Sequence, residues 1–152
     1  MTDISCAISL GSNLGPSQQI LEQSIEQLRA TAQIKNIQVS HWYQTKPVGP
    51  PQPDYLNGCA TFTTSLNPWQ MLAVLQSIEQ YFGRERQVHW GARTLDLDLL
   101  LYGRWQIDTV SLQVPHPYMA ERSFVLLPLA EIAGDWLWHE VSIQELAALV
   151  KS

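Results

Sequence analysis

Apolar residues recur along this chain with two periods. From Ile4 to Leu10 they alternate, so Ile4, Cys6, Ile8 and Leu10 share one face of a predicted strand. Gly11-Ser12-Asn13-Leu14-Gly15 then predicts a turn. Pro16 suits the first turn of a helix whose buried stripe is Ile20, Leu21, Ile25 and Leu28. A second strand is predicted from about Ile37 to Thr45, and after the proline-rich stretch Pro47 to Pro53 a third from about Tyr55 to Thr64. Asn67-Pro68 marks a helix start and Gly83 its stop, with Met71, Leu72, Leu75, Ile78 and Phe82 at helical spacing between them. A fourth strand is predicted from Thr94 to Tyr102. The rest is less regular: Phe124 to Ala133 reads as a helix despite Pro128, and Ser142 to Glu145 offers a capping box for a last one.

Strand, helix, strand, strand, helix, strand is an α+β order. It predicts a ferredoxin-like (βαββαβ) sandwich, a sheet with helices on one face, carrying extra C-terminal helices. A single domain over residues 1–152 is expected. With 45% hydrophobic and 15% charged residues the chain lies far from the disordered regime. Its net charge of −5 argues against nucleic acid or an anionic membrane as a partner. No apolar run reaches the length of a membrane span, and no charged-then-apolar leader opens the chain. Cys6 and Cys59 both fall in strand-like runs and read as buried free thiols, which makes the reducing cytoplasm the expected location. His41, His139 and the Trp136/Trp138 pair show no partner spacing and receive no role.

The fourth strand carries the sharpest chemical signal. Leu95, Leu97, Leu99 and Leu101 are expected on one face, against helices, and Asp96 and Asp98 on the other. The two carboxylates would then stand about 6–7 Å apart at their Cβ atoms. Like charges that close repel unless a cation lies between them. Magnesium takes one or two carboxylates and completes its shell with phosphate and water. A pair of such ions about 3.5–4 Å apart clamps in-line displacement at phosphorus. The alternative for an isolated D-x-D is two solvated acids on an exposed sheet.

Immediately upstream, Gly83 to Arg93 holds Arg84, Arg86, Arg93, His89 and Trp90 between glycines. Guanidinium groups bind phosphate bidentately and offset charge developing in transfer, and a glycine-bounded loop suits closure over substrate. An ordinary solvated loop whose arginines pair with Asp96 and Asp98 is the competing account. His116, between Pro115 and Pro117, is held in a stiff extended turn, where the imidazole serves phosphate or simply structure. Tyr55 and Asn57 share a strand face and suit stacking on, and hydrogen bonding to, a planar ring; a cross-strand packing pair accounts for them equally. Phe124 is core or an aromatic lid. Together these features predict an ATP-dependent, magnesium-requiring enzyme acting on a small flat heterocycle. An RNA-binding sheet, the other common use of this architecture, should be basic where this one is acidic.

With those residues in place, the chain resembles the 6-hydroxymethyl-7,8-dihydropterin pyrophosphokinase family of folate biosynthesis. The resemblance rests on Gly11-Ser12-Asn13-Leu14-Gly15, Thr45-Lys46-Pro47-Val48-Gly49, Gln52-Pro53-Asp54-Tyr55-Leu56-Asn57, Trp90-Gly91-Ala92-Arg93-Thr94-Leu95-Asp96-Leu97-Asp98, and Pro115-His116-Pro117 with Glu121-Arg122-Ser123-Phe124. It implies transfer of pyrophosphate from ATP to the hydroxymethyl group of the pterin, leaving AMP. It further implies that Asp96 and Asp98 hold two Mg2+ and that Arg84 and Arg93 act on the triphosphate. Thr45, Val48, Tyr55, Asn57 and Phe124 would hold the pterin. Gln76, Glu79, Arg84, Arg86, Trp90, Arg93, Leu99, His116 and Arg122 would line the ATP side. The implied partners are these two small molecules alone, and a monomer is expected. The chain departs from common family residues at His89, Ala92, Ser111 and Tyr118.

Overall fold

The computed structural model describes residues 3–47, 49–83 and 94–150. Strand β1 (Ile4–Ser12) lies between β4 (Tyr55–Thr64) and β5 (Asp96–Tyr102), antiparallel to both. It runs two residues past its apolar alternation because β4 pairs with it throughout, from Ile4 opposite Thr64 to Ser12 opposite Leu56. On the far side of β4 lie β2 (Ile34–Val39) and β3 (Tyr43–Thr45), giving the order β2-β4-β1-β5 with β3 also on β4. The ferredoxin-like arrangement is therefore present.

Helix α1 (Ser17–Arg29) follows Pro16 and buries Ile20, Leu21, Ile25 and Leu28, the stripe its spacing predicts. Helix α2 (Pro68–Tyr81) opens on a complete capping box, in which the Asn67 side chain accepts from the Gln70 N–H at 2.8 Å and the Gln70 side chain accepts from the Asn67 N–H at 2.9 Å. Gly83, at φ +75°, ends it. Both helices cover one face of the sheet. Its core includes Ile8, Leu10, Phe62, Leu75, Leu97 and Leu99.

The other face is covered as well. Helices α3 (Ser123–Ala133) and α4 (Ile143–Leu149) pack there on Ala7, Cys59, Leu100 and Leu101. The expectation of helices on one face holds for α1 and α2 only, because the C-terminal pair closes the second. The α3 helix runs through Pro128 as expected. At α4 only half of the expected capping box forms: Ser142 accepts from the Glu145 N–H, and its own hydroxyl donates to the Glu145 carboxylate. Two short ladders were not predicted, β6 (Ile107–Asp108) with β7 (Gln113–Val114) and β8 (Leu137–Trp138) with β9 (Val141–Ser142).

Two expectations fail for identifiable reasons. The single strand expected over Ile37 to Thr45 is broken between β2 and β3. There the Ser40 N–H donates to the Cys59 carbonyl, while the Ser40 hydroxyl, rather than a backbone carbonyl, accepts the Cys59 N–H, each at 2.9 Å. The Trp42 ring lies so close over Gly58 that a Cβ there would sit 2.5 Å from it. The second failure is Leu101. Ile8 faces Leu99 but the adjacent Ala7 faces Leu101, so Leu100 is the extra residue of a β-bulge. Leu100 and Leu101 therefore both join the α3/α4 side, whereas Leu95, Leu97 and Leu99 stay on the α1/α2 side as expected. The strand itself begins at Asp96 rather than Thr94.

Cys6 and Cys59 are free and buried, and burial pushes the Cys6 thiol up to about 12. Among the described residues no helix is long and apolar enough to cross a membrane.

Candidate active site

Upstream of the bulge, β5 keeps its alternation, so Asp96 and Asp98 face away from the α1/α2 core. Register places Asp98 opposite Ser9 and Asp96 opposite Gly11 on β1. Gly11 is in turn opposite Asn57 on β4, while on β3 Tyr43 stands opposite Asn57 and Thr45 opposite Tyr55. Directly paired residues project to the same side of a sheet. The predicted acids and the predicted ring-binding residues are thus brought onto one surface by a row crossing β5, β1, β4 and β3.

Gly11 is what keeps this row open. A Cβ at that position would lie 2.9 Å from the Asn57 side-chain oxygen and 3.6 Å from the Tyr55 ring. Asn57 is buried, and its amide donates to the Thr45 hydroxyl, which fixes the orientation of both. Asn13, buried at the end of β1, donates to the Gln52 side chain and the Pro53 carbonyl, both at 2.8 Å. The turn motif therefore anchors the proline-rich segment that leads into Tyr55. Asp96 is half-buried and Asp98 exposed.

His116 stands at another side of the surface, after a cis Val114–Pro115 bond. Its N–H donates to the carbonyl of the bulged Leu100 at 2.9 Å, and its carbonyl accepts from the Trp138 indole at 3.4 Å. Its ring Nδ1 accepts from the Tyr118 N–H at 3.2 Å. A neutral ring held this way carries its proton on Nε2, which leaves that nitrogen as the donor. Burial lowers the His116 pKa, the Asp98 charge opposes that, and Arg122 adds to it; the net direction is down. The Arg122 guanidinium lies 5.6 Å from the Tyr118 ring centroid and 5.8 Å from that of Phe124, within cation–π range of both. Phe124 is half-buried at the start of α3.

From α2, Glu79 is only 4% exposed, and its carboxylate accepts the Leu97 N–H at 2.8 Å along the outer edge of β5. Gln76, about one turn earlier, is exposed, and Leu99 buries its side chain in the α1/α2 core. Val48, Arg84, Arg86, Trp90 and Arg93 lie outside the described residues. Sequence reasoning missed Gly11 as the floor of the row, a role visible only across strands. It also missed Trp138, whose partner is 22 residues away.

Residues 7–134 match the family model described as 7,8-dihydro-6-hydroxymethylpterin-pyrophosphokinase. The chain belongs to this family. As a member it is an ATP-using pyrophosphokinase of folate biosynthesis. It is 50% identical over 130 residues to the 2-amino-4-hydroxy-6-hydroxymethyldihydropteridine pyrophosphokinase of Synechocystis sp., an alignment covering 86% of this chain and 67% of that one. The Bacillus subtilis enzyme of the same description is 48% identical over 126 residues, covering 82% of this chain and 75% of its own. Among solved structures, wild-type Plasmodium falciparum HPPK-DHPS with pteroate superposes with a TM-score of 0.75 over 97% of this chain. At 13% identity that likeness concerns the fold, and this chain spans only 42% of that one.

Proposed function

We propose that this chain, acting as a cytoplasmic monomer, moves the β,γ-pyrophosphate of ATP onto the hydroxymethyl oxygen of 6-hydroxymethyl-7,8-dihydropterin. The alcohol oxygen bonds to the β-phosphorus, the bond from that phosphorus to the α,β-bridging oxygen breaks, and AMP leaves with the bridging oxygen. The hydroxyl proton passes to solvent. The observation that carries the reading is the single cross-strand row that sets Asp96 beside Gly11 and Gly11 beside Asn57.

Each residue then has a task. Tyr55 and Phe124 sandwich the flat pterin, and Asn57 with Thr45, together with the backbone at Val48, reads its edge. The interlocked Asn57 and Thr45 side chains fix that edge in advance, so little order is lost on binding. Leu99 meets adenine through its backbone, and Gln76 and Glu79 lie on that side. His116 donates from Nε2 to a phosphate oxygen, and Arg122 adds positive charge beside it. Arg84, Arg86 and Arg93 engage the triphosphate, with Trp90 in the same stretch of sequence.

The donor set fits magnesium. Asp96 and Asp98 supply hard oxygen donors from one strand face, Asp98 is exposed, and among the described residues no larger His/Cys/Asp/Glu cluster competes. Two Mg2+ held there would neutralise phosphate charge and lower the pKa of a bound hydroxyl. No side chain is assigned as general base. A face bearing two carboxylates also disfavours nucleic-acid and membrane partners.

The test is incubation with ATP, magnesium and the pterin alcohol. AMP and the pterin diphosphate should appear in equal amounts, and release of ADP instead would refute pyrophosphate transfer. Asp98→Ala should abolish turnover with the fold intact, since the side chain is exposed. Undiminished AMP release by that variant would remove the metal assignment.

A further inference from the structure

The geometry points to Glu131 as a positioning residue for the pterin clamp, acting from outside the site by fixing how far α3 slides along the sheet. The inference rests on the pterin assignment above.

Glu131 lies near the end of α3 and receives donors from His41 and Tyr43 at the corner between β2 and β3. The His41 N–H reaches its two carboxylate oxygens at 3.0 and 3.2 Å, the His41 Nδ1 lies 2.8 Å away, and the Tyr43 hydroxyl donates at 2.8 Å. Surface ion pairs contribute little as a rule. The contact at Glu131 does not depend on an ion pair, because a backbone N–H and a phenol fix the direction of approach. Burial alone would push the Glu131 carboxyl up, but the hydrogen bonds from Tyr43 and His41 outweigh it and hold the group below its ordinary value. The same contact raises the Tyr43 phenol.

The elements so joined are α3, which carries Phe124, and β3, which pairs with the β4 segment that carries Tyr55 and Asn57. On β3, Tyr43 is two residues from Thr45, and the pair stand opposite Asn57 and Tyr55. On α3, Phe124 and Glu131 are seven residues apart, two turns, so they share a stripe about 10 Å long. One end of that stripe is tied to β3 and the other holds the clamp aromatic. Between them Val125, Leu126 and Leu129 are buried against the sheet. Apolar packing is non-directional and presses the helix down without fixing its position lengthwise. The Cys59 thiol reaches the Val125 carbonyl only as a weak donor, at 3.4 Å. Among these contacts the four at Glu131 are the ones that specify register, and register sets where Phe124 stands relative to Tyr55.

The test compares Glu131→Ala, Glu131→Gln and Tyr43→Phe, alone and in a Phe124→Ala background, reading KM for pterin and for ATP in the intact enzyme. Glu131→Ala, which removes all four contacts, should raise pterin KM about tenfold, with ATP KM within about twofold. Glu131→Gln, which still accepts from Tyr43 and His41, should recover most of the loss. Tyr43→Phe, which deletes one hydroxyl and leaves the core untouched, should give a smaller shift in the same direction. In the Phe124→Ala background Glu131→Ala should add nothing, since the residue it positions is gone. An unchanged pterin KM in Glu131→Ala, or the same rise with and without Phe124, would overturn the inference. Phe124→Ala with unchanged pterin KM would instead remove the clamp assignment on which it rests.

Discussion

Gly11→Ala separates folding from substrate binding at a single methyl group. The new Cβ would start 2.9 Å from the Asn57 side-chain oxygen, inside the distance that a carbon and an oxygen tolerate, and 3.6 Å from the Tyr55 ring, an ordinary contact. Only Asn57 must yield. Its amide is the end of a rotatable side chain, so the clash is relieved by a χ rotation costing about 0.5–1.5 kcal/mol. Gly11 lies within β1, a conformation that alanine adopts freely, and alanine is the better strand residue. With the Asn57–Thr45 hydrogen bond also lost, stability should fall by about 1–2 kcal/mol. Binding should suffer more. Rotating Asn57 breaks its hydrogen bond to Thr45 and misaligns both groups proposed to read the pterin edge. Two hydrogen bonds at about 1 kcal/mol each amount to about 2 kcal/mol, or about thirtyfold in pterin affinity. Calorimetric titration with the pterin and an unreactive ATP analogue reads the first quantity, and thermal unfolding the second. Pterin affinity within twofold of the parent would refute the row as the pterin floor, as would an equal loss for the ATP analogue.

Leu126 is fully buried beneath α3, and Leu126→Ala should destabilise the protein by about 2–5 kcal/mol, measured by denaturant titration. Because the Glu131 carboxyl is held below its ordinary value, its contribution to stability is present above the unfolded pKa and disappears as pH falls through the folded one. The difference in Tm between the parent and Glu131→Gln should accordingly be largest near neutrality and close only as pH falls below the ordinary carboxyl range. A difference independent of pH would show that the charge is not what matters.

Much of this was legible in the sequence because it is local. The α2 start needs only Asn67, Pro68 and Gln70, and the acidic pair needs only the two-residue period of a strand. Tyr55 and Asn57 could be placed on one face by the same rule, as the structure bears out. What escaped depends on neighbours remote in sequence. The break after Val39 is set by Trp42 lying over Gly58, and nothing between Ile37 and Thr45 announces it. The bulge at Leu100 is invisible in a run of leucines, where either parity looks equally apolar. The same holds for His41. It has no spacing partner, because its partner is 90 residues away on another element.

The bulge has a consequence for the acids upstream of it. By sending Leu100 and Leu101 together to the α3/α4 side while Leu97, Leu99 and Tyr102 stay on the other, it surrounds the far half of the strand with hydrocarbon above and below. That insulating wall is poorly polarisable, so the field of Asp96 and Asp98 is not dissipated backwards into the protein but is directed outward. A cation approaching those carboxylates is drawn in from the solvent side of the sheet.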